Sequence, residues 1–422
     1  MPAPASSGAP PTQPSPDASP TPPPEAPPLP PAPAPTAVQV QSLDRLDLFS
    51  TGRDTGFGPD VWKGSSADIA RAVIPSLAAK SLSPAGMDLA RRLLAQTSTA
   101  PAGAGGDLDL AVARAKALLA LGDAEDASLV LDRTPGVADH ADLSQLAAEA
   151  ALIGEQDDKA CRVADNLTDG RSAPYWLRLR AYCQARAGKP DQAQLTYDLA
   201  GAPPKGLPIA RLLAVYIAGA GDPGPASLRD GLDFAVSRAL KLDLSSALPT
   251  AAPAISRRWL LKNPPPAPPS PAFSAGSASA LIQEAADAAG ADHPDASLLE
   301  QLIDHAAKEA GPRTRARLQA AAAILASLGV GASDGARAAL DGFDFGRPEA
   351  QAARLLALNL AVESGLKGEA VLLVLQIAQA GGASGPGAAD GCFIIRALLR
   401  AGLNADAKAF AVEQLLALRG PG

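Results

Sequence analysis

The sequence is poor in aromatic residues, cysteine and histidine, and it lacks any long hydrophobic run. Aromatic residues make up 4% of its 422 positions, and it contains three cysteines and three histidines. The most apolar stretch, residues 366–380, is interrupted by Lys367, Glu369 and Gln376. It therefore falls short of the roughly 18 apolar residues that a transmembrane helix needs. The sequence therefore predicts no direct membrane span. No run alternates β-branched or aromatic residues with polar ones, so the sequence also predicts no β-sheet.

A cluster of lysine and arginine is also missing. The formal net charge is −7 at pH 7, and the sequence pI is about 5.1. Because nucleic-acid-binding proteins usually carry a basic patch, we expect no nucleic acid among the partners. Met1 is followed by neither a basic nor an apolar leader segment. We therefore expect a cytoplasmic protein, or a periplasmic or envelope-associated one if a leader was removed.

The three histidines give no indication of a metal site. His140, His293 and His305 are far apart, and none belongs to a His-Glu-x-x-His motif or lies beside a cysteine cluster. We expect them on the surface and predict neither a metal nor another cofactor.

Two short motifs match catalytic or nucleotide-binding patterns but lack the context that those patterns require. Residues 331–335 match the nucleophile elbow, but a helix rather than a strand is predicted before them. Residues 219–224 match the dinucleotide fingerprint, but Pro223 and Pro225 lie where the phosphate-binding helix should begin. We interpret both segments as turns between helices.

Alanine and glycine, by contrast, are abundant and regularly placed. Much of the 47% hydrophobic content is alanine, which favours closely packed helices. Glycines follow Ala/Leu-rich segments at intervals of 32 and 34 residues, then of 34 and 37 residues, at Gly122, Gly154, Gly188, Gly331, Gly365 and Gly402. Such a period is typical of stacked helical hairpins. The predicted fold is therefore all-α, an α-α superhelical solenoid in two arrays.

Proline marks the predicted boundaries. Residues 1–35 contain sixteen prolines and no aromatic residue, a composition typical of a disordered, extended tether. A second proline-rich stretch follows Asn263. We predict a disordered Pro/Ala-rich tether (1–37), an N-terminal segment with a helical hairpin (38–106), a first helical repeat array (107–262), a Pro-rich linker (263–277) and a second helical repeat array (278–420).

The segments after these glycines resemble the second helix of the tetratricopeptide repeat. That helix has alanine five residues after the glycine and a bulky residue nine after it, as Ala193 and Tyr197 follow Gly188. The hairpin at Gly154 departs from the pattern, because Lys159 holds the alanine position and alanine falls one residue later. The resemblance implies degenerate tetratricopeptide-like hairpins; a generic helical solenoid is the alternative.

A second resemblance is local. Residues 56–64 and 175–183 are similar to segments of an uncharacterised α-proteobacterial family of secreted or periplasmic proteins with a leader, a Pro-rich stretch and helical repeats. The resemblance implies a bacterial, periplasmic location and no particular chemistry.

The cysteines suggest one disulfide. Cys161 lies on the second helix of one predicted hairpin and Cys183 on the first helix of the next, and these helices are neighbours in a stacked array. A bridge would indicate an oxidising compartment. The alternative is that both are free, buried residues. Cys392 has no obvious partner.

The resemblance also implies a binding groove, because the first helices of tetratricopeptide hairpins line a concave surface. Relative to the glycine, groove positions fall on Tyr175, Arg178, Tyr182 and Arg186, which share one helical face. The same offsets select Arg211, Asn359, Arg396 and Arg400. Arginine and tyrosine are enriched at binding hot spots, and arginine binds carboxylates through two donors. We predict that this groove binds an acidic peptide segment or chain terminus; the alternative is an ordinary solvated helix face.

These observations favour a non-enzymatic protein–protein interaction scaffold, placed by analogy in bacterial envelope assembly or motility-type machinery. One alternative is an α-α toroid-like enzyme or carbohydrate-binding protein that uses a carboxylate pair in a closed pocket. Another is a structural protein that self-associates into a homo-oligomer.

Overall fold

Helices joined by short turns form the protein, which is described by a computed structural model over residues 47–201, 207–266, 273–291 and 296–420. Across these ranges every regular element is helical, and one isolated bridge joins Arg53 to Gln96. The predicted all-α class is confirmed. The predicted tether, residues 1–37, and the centre of the predicted linker lie outside the described residues. Among the described helices none is long and apolar enough to cross a membrane.

Several helices of the first part of the chain begin at a polar residue whose side chain caps the first turn. Ser66 and Ser83 accept hydrogen bonds from backbone N–H groups of the first turn, and a proline opens several helices at their first position. The helices are α1 (Ala67–Leu77), α2 (Pro84–Ala95), α3 (Leu108–Ala120), α4 (Ala124–Arg133), α5 (Ala141–Ile153), α6 (Asp157–Asn166), α7 (Pro174–Arg186), α8 (Pro190–Leu199), α9 (Pro208–Ala218), α10 (Gly231–Ala239) and α11 (Pro253–Lys262).

The second part follows the same plan. Ser333, the central residue of the apparent nucleophile elbow, caps a helix there, because its Oγ accepts a hydrogen bond from the Ala336 N–H at 3.1 Å. The helices are α12 (Ala278–Gly290), α13 (Ala296–Lys308), α14 (Pro312–Ser327), α15 (Asp334–Asp341), α16 (Ala352–Glu363), α17 (Lys367–Ala378), α18 (Ala388–Arg400) and α19 (Asn404–Arg419). Short 3-10 helices span Val137–Asp139, Ser245–Thr250 and Gln379–Ser384.

The structure corrects the repeat register of the first array. A residue in the left-handed backbone conformation follows the cap of α3 and of α7, at Gly122 (φ 88°) and Gly188 (φ 74°). After α5 this residue is Glu155 (φ 63°), not Gly154. The corrected position lies 33 residues from both glycines, and Ala160, five residues later, is fully buried. When the repeat is counted from Glu155 instead of Gly154, this hairpin also has alanine at the expected position.

Two further turns also differ from the predicted register. After α14 the left-handed residue is Gly329 (φ 85°) rather than Gly331, so the connection to α15 is longer than in the other hairpins. After α10 the same position holds Lys241 (φ 56°). A left-handed conformation costs a residue with a side chain about 1–2 kcal/mol. Glu155 and Lys241 are the two residues other than glycine with this conformation in the described chain.

The hairpin of α1 and α2 packs against both arrays. Helix α1 contacts α3 and α17, and α2 contacts α17 and α19. Trp62, which precedes α1 and is 1% exposed, lies so close to α17 that a Cβ at Gly368 would lie 2.5 Å from its ring. The Gly368 N–H donates to the Val61 carbonyl at 2.8 Å. A single hydrophobic core consequently runs from Phe49 through this hairpin into α12, α14 and α17–α19, and the described residues belong to one compact unit.

The second array does not stack in the order of its sequence. The last hairpin, α18 with α19, lies between earlier elements, because α18 packs on both α14 and α16 while α19 packs on α12. This order leaves α16 and α18 side by side.

A buried arginine fastens the irregular segment of residues 47–66 to the first array. Arg114 of α3 is 1% exposed. Its Nε donates to the Leu94 carbonyl at 2.6 Å, and its Nη atoms donate to the carbonyls of Leu48 and Gln96, each at 3.0 Å. The guanidinium also lies over the Phe49 ring, with Cζ 5.1 Å from the ring centroid. Arg114 thus donates to the carbonyls of three residues on different segments of the chain. The Leu48 carbonyl also accepts from the Thr51 hydroxyl at 3.0 Å.

Candidate functional site

Of the predicted groove residues on α7, Tyr182 is buried and Tyr175 is half-buried. The Tyr175 hydroxyl donates to Glu149 Oε1 at 2.7 Å, and burial raises the pKa of Tyr175 well above its usual range. Tyr182 is 1% exposed, and its ring contacts that of Tyr216, with 5.4 Å between centroids. Tyr182 is therefore a core residue rather than a residue of an open groove, whereas Tyr175 keeps part of its surface exposed.

One reason is that α9, which carries Tyr216, packs on α7. Helix α10 packs on α5 and α9, and its apolar residues share a core with Tyr182. The N–H of Gly231, the first residue of α10, donates to Glu149 Oε2 at 2.5 Å. At the other end Arg238 Nη2 donates to both carboxylate oxygens of Asp157 at 2.7 Å. The Tyr175 hydroxyl and the Tyr182 ring thus contact other helices of the same chain, α5 and α9.

A carboxylate pair lies where α10 begins. Burial, together with the negative charge of Asp230, raises the pKa of Glu149 to about 7. Burial, together with the charge of Asp233, raises the pKa of Asp230 to about 6. Asp230 caps α10, since its Oδ1 accepts from the Asp233 N–H at 2.7 Å. The oxygens of Glu149 bind α7 and α10, and Asp230 caps α10, so both carboxylates hold helices of the same chain.

The remaining groove residues of the first array bind other parts of the chain or lie partly buried. Arg186 forms an ion pair with Asp158, and its Nε lies 3.9 Å from Asp157 Oδ2. Arg178 is half-buried, and its Nε has no hydrogen-bond partner in the described structure. Arg211 donates to the carbonyls of Pro223 and Pro225, with 2.9 Å from Nη2 to the second. Arg211 therefore holds the loop that matched the dinucleotide fingerprint.

The groove residues predicted in the second array lie at the surface, and the same two helices expose large apolar side chains. Leu356, Asn359 and Leu360 are spaced for one side of α16, and Phe393, Arg396 and Arg400 for one side of α18. Helices α16 and α18 pack together, and we use the name α16–α18 face for these six residues taken together.

The α16–α18 face combines apolar surface with unpaired positive charge. Leu356, Leu360 and Phe393 are 59%, 54% and 42% exposed. Arg396 and Arg400 are exposed, and neither has a hydrogen bond or ion pair with another described residue. One acidic residue, Glu363, is exposed one turn beyond Leu360. The three apolar residues were missed in the sequence, although Leu356 and Phe393 lie three positions before Asn359 and Arg396, and Leu360 lies four positions after Leu356.

The structure joins the two cysteines predicted to form a bridge. Cys161 of α6 and Cys183 of α7 have their sulfurs 1.99 Å apart and their Cα atoms 5.7 Å apart. Cys392 is free and half-buried, and burial raises the pKa of its thiol. Among the described residues no group of histidine, cysteine and carboxylate side chains is placed to hold a metal ion.

Comparison of the chain with known protein families, with curated proteins and with solved structures finds no match. The function must therefore be argued from the surface itself.

Proposed function

We propose that the protein is a non-enzymatic scaffold that binds an acidic segment of a partner protein through the α16–α18 face. The supporting observation is the pair of unpaired, exposed arginines, Arg396 and Arg400, on a helix that also exposes Phe393 and packs on α16, which exposes two leucines. Each large apolar side chain contributes about 1.5–3 kcal/mol when fully buried by a partner. A guanidinium binds a carboxylate through two parallel hydrogen bonds. The fitting partner segment therefore carries both carboxylates and apolar side chains.

Reversing the charge of this face tests the proposal. We expect Arg396→Glu with Arg400→Glu to weaken binding of a short fluorescent peptide of alternating glutamate and leucine by more than about tenfold, because attraction becomes repulsion. Fluorescence anisotropy measures the affinity. Arg162→Glu with Lys189→Glu makes the same change of charge at exposed positions of the first array, and it should leave the affinity unchanged.

Two outcomes would contradict the proposal. One is equal binding of the peptide by the wild type and the Arg396→Glu, Arg400→Glu variant. The other is a homodimer, detected by sedimentation, that Leu356→Lys with Phe393→Lys converts to a monomer; a second copy of the chain would then cover the face, as in the self-association alternative.

We also propose that the protein works in an oxidising compartment such as the bacterial periplasm. The support is the Cys161–Cys183 bridge, since such bridges are rare in the reducing cytosol. If cells of the native organism are treated with a thiol-alkylating reagent before lysis, and the protein is then unfolded with more reagent, we expect a single alkylated cysteine, Cys392. Alkylation of all three cysteines, measured by mass spectrometry, would refute this location.

A further inference from the structure

A cavity of about 210 Å³ lies between α10, α11 and the turn after α5, away from the residues of the α16–α18 face. Its wall is apolar, formed by Leu228, Phe234, Leu244, Ile255 and Trp259. Leu228, Phe234 and Ile255 are 0%, 6% and 2% exposed. This wall is therefore part of a packed hydrophobic cluster and is not made of exposed side chains. Pockets for drug-sized ligands measure about 300–1,000 Å³. This cavity accordingly suits one small group, such as an aromatic ring or a short aliphatic chain.

The rim of the cavity is positively charged. Arg258 Nε lies 3.2 Å and Lys262 Nζ 2.5 Å from the same atom, Glu155 Oε1. One carboxylate thus faces two cations, and Arg238 on the rim adds a third whose charge is matched by Asp157. Arg258 and Lys262 retain 34% and 53% exposure of their side chains, so both can reach a second anion. A net positive charge therefore remains at the entrance to an apolar chamber.

Arg238 supplies a second indication of an anion. Its Nη2 binds Asp157, but its Nε is buried and has no hydrogen-bond partner in the described structure. Buried N–H groups rarely remain without an acceptor, because an unpaired donor inside a protein is destabilising. A carboxylate oxygen at the rim would satisfy this donor.

Glu155 is held in an unfavourable conformation at the same place. It has φ 63°, where the neighbouring hairpins have glycine. Residues strained in this way are concentrated at binding and active sites. Glycine would remove the strain, but it would also remove the carboxylate that bridges Arg258 and Lys262. The side chain keeps the two cations together at the rim.

We propose that this cavity binds a carboxylate joined to a single small apolar group. The apolar group would contact Phe234 and Trp259, and the carboxylate would bind Arg258, Lys262 and the Arg238 Nε–H. A free aromatic carboxylic acid and a peptide ending in phenylalanine both have this chemistry. The proposal does not depend on the α16–α18 face, so either can fail without the other.

Trp259 provides the measurement. The other two tryptophans, Trp62 and Trp176, are 1% and 2% exposed, whereas Trp259 lines the cavity and is partly exposed. We expect 3-phenylpropionate, or a short glycine peptide ending in phenylalanine, to change tryptophan fluorescence saturably. Trp259→Phe should abolish the change. Saturation by the free acid alone or by the peptide alone identifies the source of the ligand, and either result supports the proposal.

Matched ligands and variants test the role of the charge. The amides of both probes should bind about tenfold more weakly or worse than the acids, and Arg258→Gln with Lys262→Gln should weaken the acids by about the same factor. Lys80→Gln with Arg162→Gln removes the same charge at exposed sites elsewhere and should have no effect. Circular dichroism melting shows that each variant is folded. The proposal is overturned if neither acid gives a saturable change, or if acids and amides bind equally.

Discussion

Replacing Arg114 by methionine should lower the free energy of unfolding by about 4 kcal/mol, because the buried carbonyls of Leu94 and Gln96 lose their donor and each unpaired group costs about 1–3 kcal/mol. The Leu48 carbonyl keeps a hydrogen bond from the Thr51 hydroxyl at 3.0 Å. Methionine has a similar length and no donor, so it fills the space without replacing the hydrogen bonds to Leu48, Leu94 and Gln96. Burial lowers the pKa of Arg114 to about 10, so the residue is still charged at neutral pH and its bonds are charge-assisted. Urea denaturation measures the change.

Two further variants separate the hydrogen bonds of Arg114 from its charge. Arg114→Lys keeps the charge but has a single nitrogen, which cannot reach three carbonyls on different segments, so we expect a smaller but clear loss. Arg337→Met removes an arginine whose side chain is 63% exposed, and surface changes of this kind stay within about 0.5 kcal/mol. A loss below about 1 kcal/mol for Arg114→Met would show that water, rather than Arg114, satisfies these carbonyls.

The features that could be predicted from the sequence are local ones. The start of α2 at Ser83–Pro84 and the start of α3 at Leu108 follow from cap chemistry and helix period within a few residues. The neighbouring positions of Cys161 and Cys183 follow from stacking consecutive hairpins. In each case the deciding residues are close in sequence, or one repeat apart.

The features that could not be predicted depend on distant segments. Nothing in residues 208–239 indicates that α9 packs on α7 and that α10 packs back on α5, so Tyr182 could not be recognised as a core residue. The position of α18 between α14 and α16 likewise depends on packing over long separations. The misplaced anchor at Gly154 has a different cause. Glycine is the usual left-handed residue, and Glu155 takes that conformation without any local sign in the sequence.

The packing of α10 on α5 buries Glu149 and thereby makes stability depend on pH. The pKa of Glu149 in the folded protein is about 7, against an ordinary value of 4.5, so between these pH values the folded state binds a proton that the unfolded state has released. Stability therefore falls as the pH rises through this interval. The shift corresponds to about 3 kcal/mol, and the partial exposure of Glu149 reduces our expectation to about 2 kcal/mol.

Glu149→Gln should remove most of this dependence, because glutamine mimics the protonated acid. Its oxygen can accept from the Gly231 N–H, and its amide can donate to the Tyr175 hydroxyl oxygen. We expect the variant to match the wild type near pH 4 and to be more stable by about 2 kcal/mol near pH 8, as measured by urea denaturation at each pH. Asp142→Asn removes an exposed carboxylate from the same helix and should leave the pH profile unchanged. If Glu149→Gln instead lost stability at pH 8, the ionised carboxylate would be the form that holds α10, and the raised pKa would be wrong.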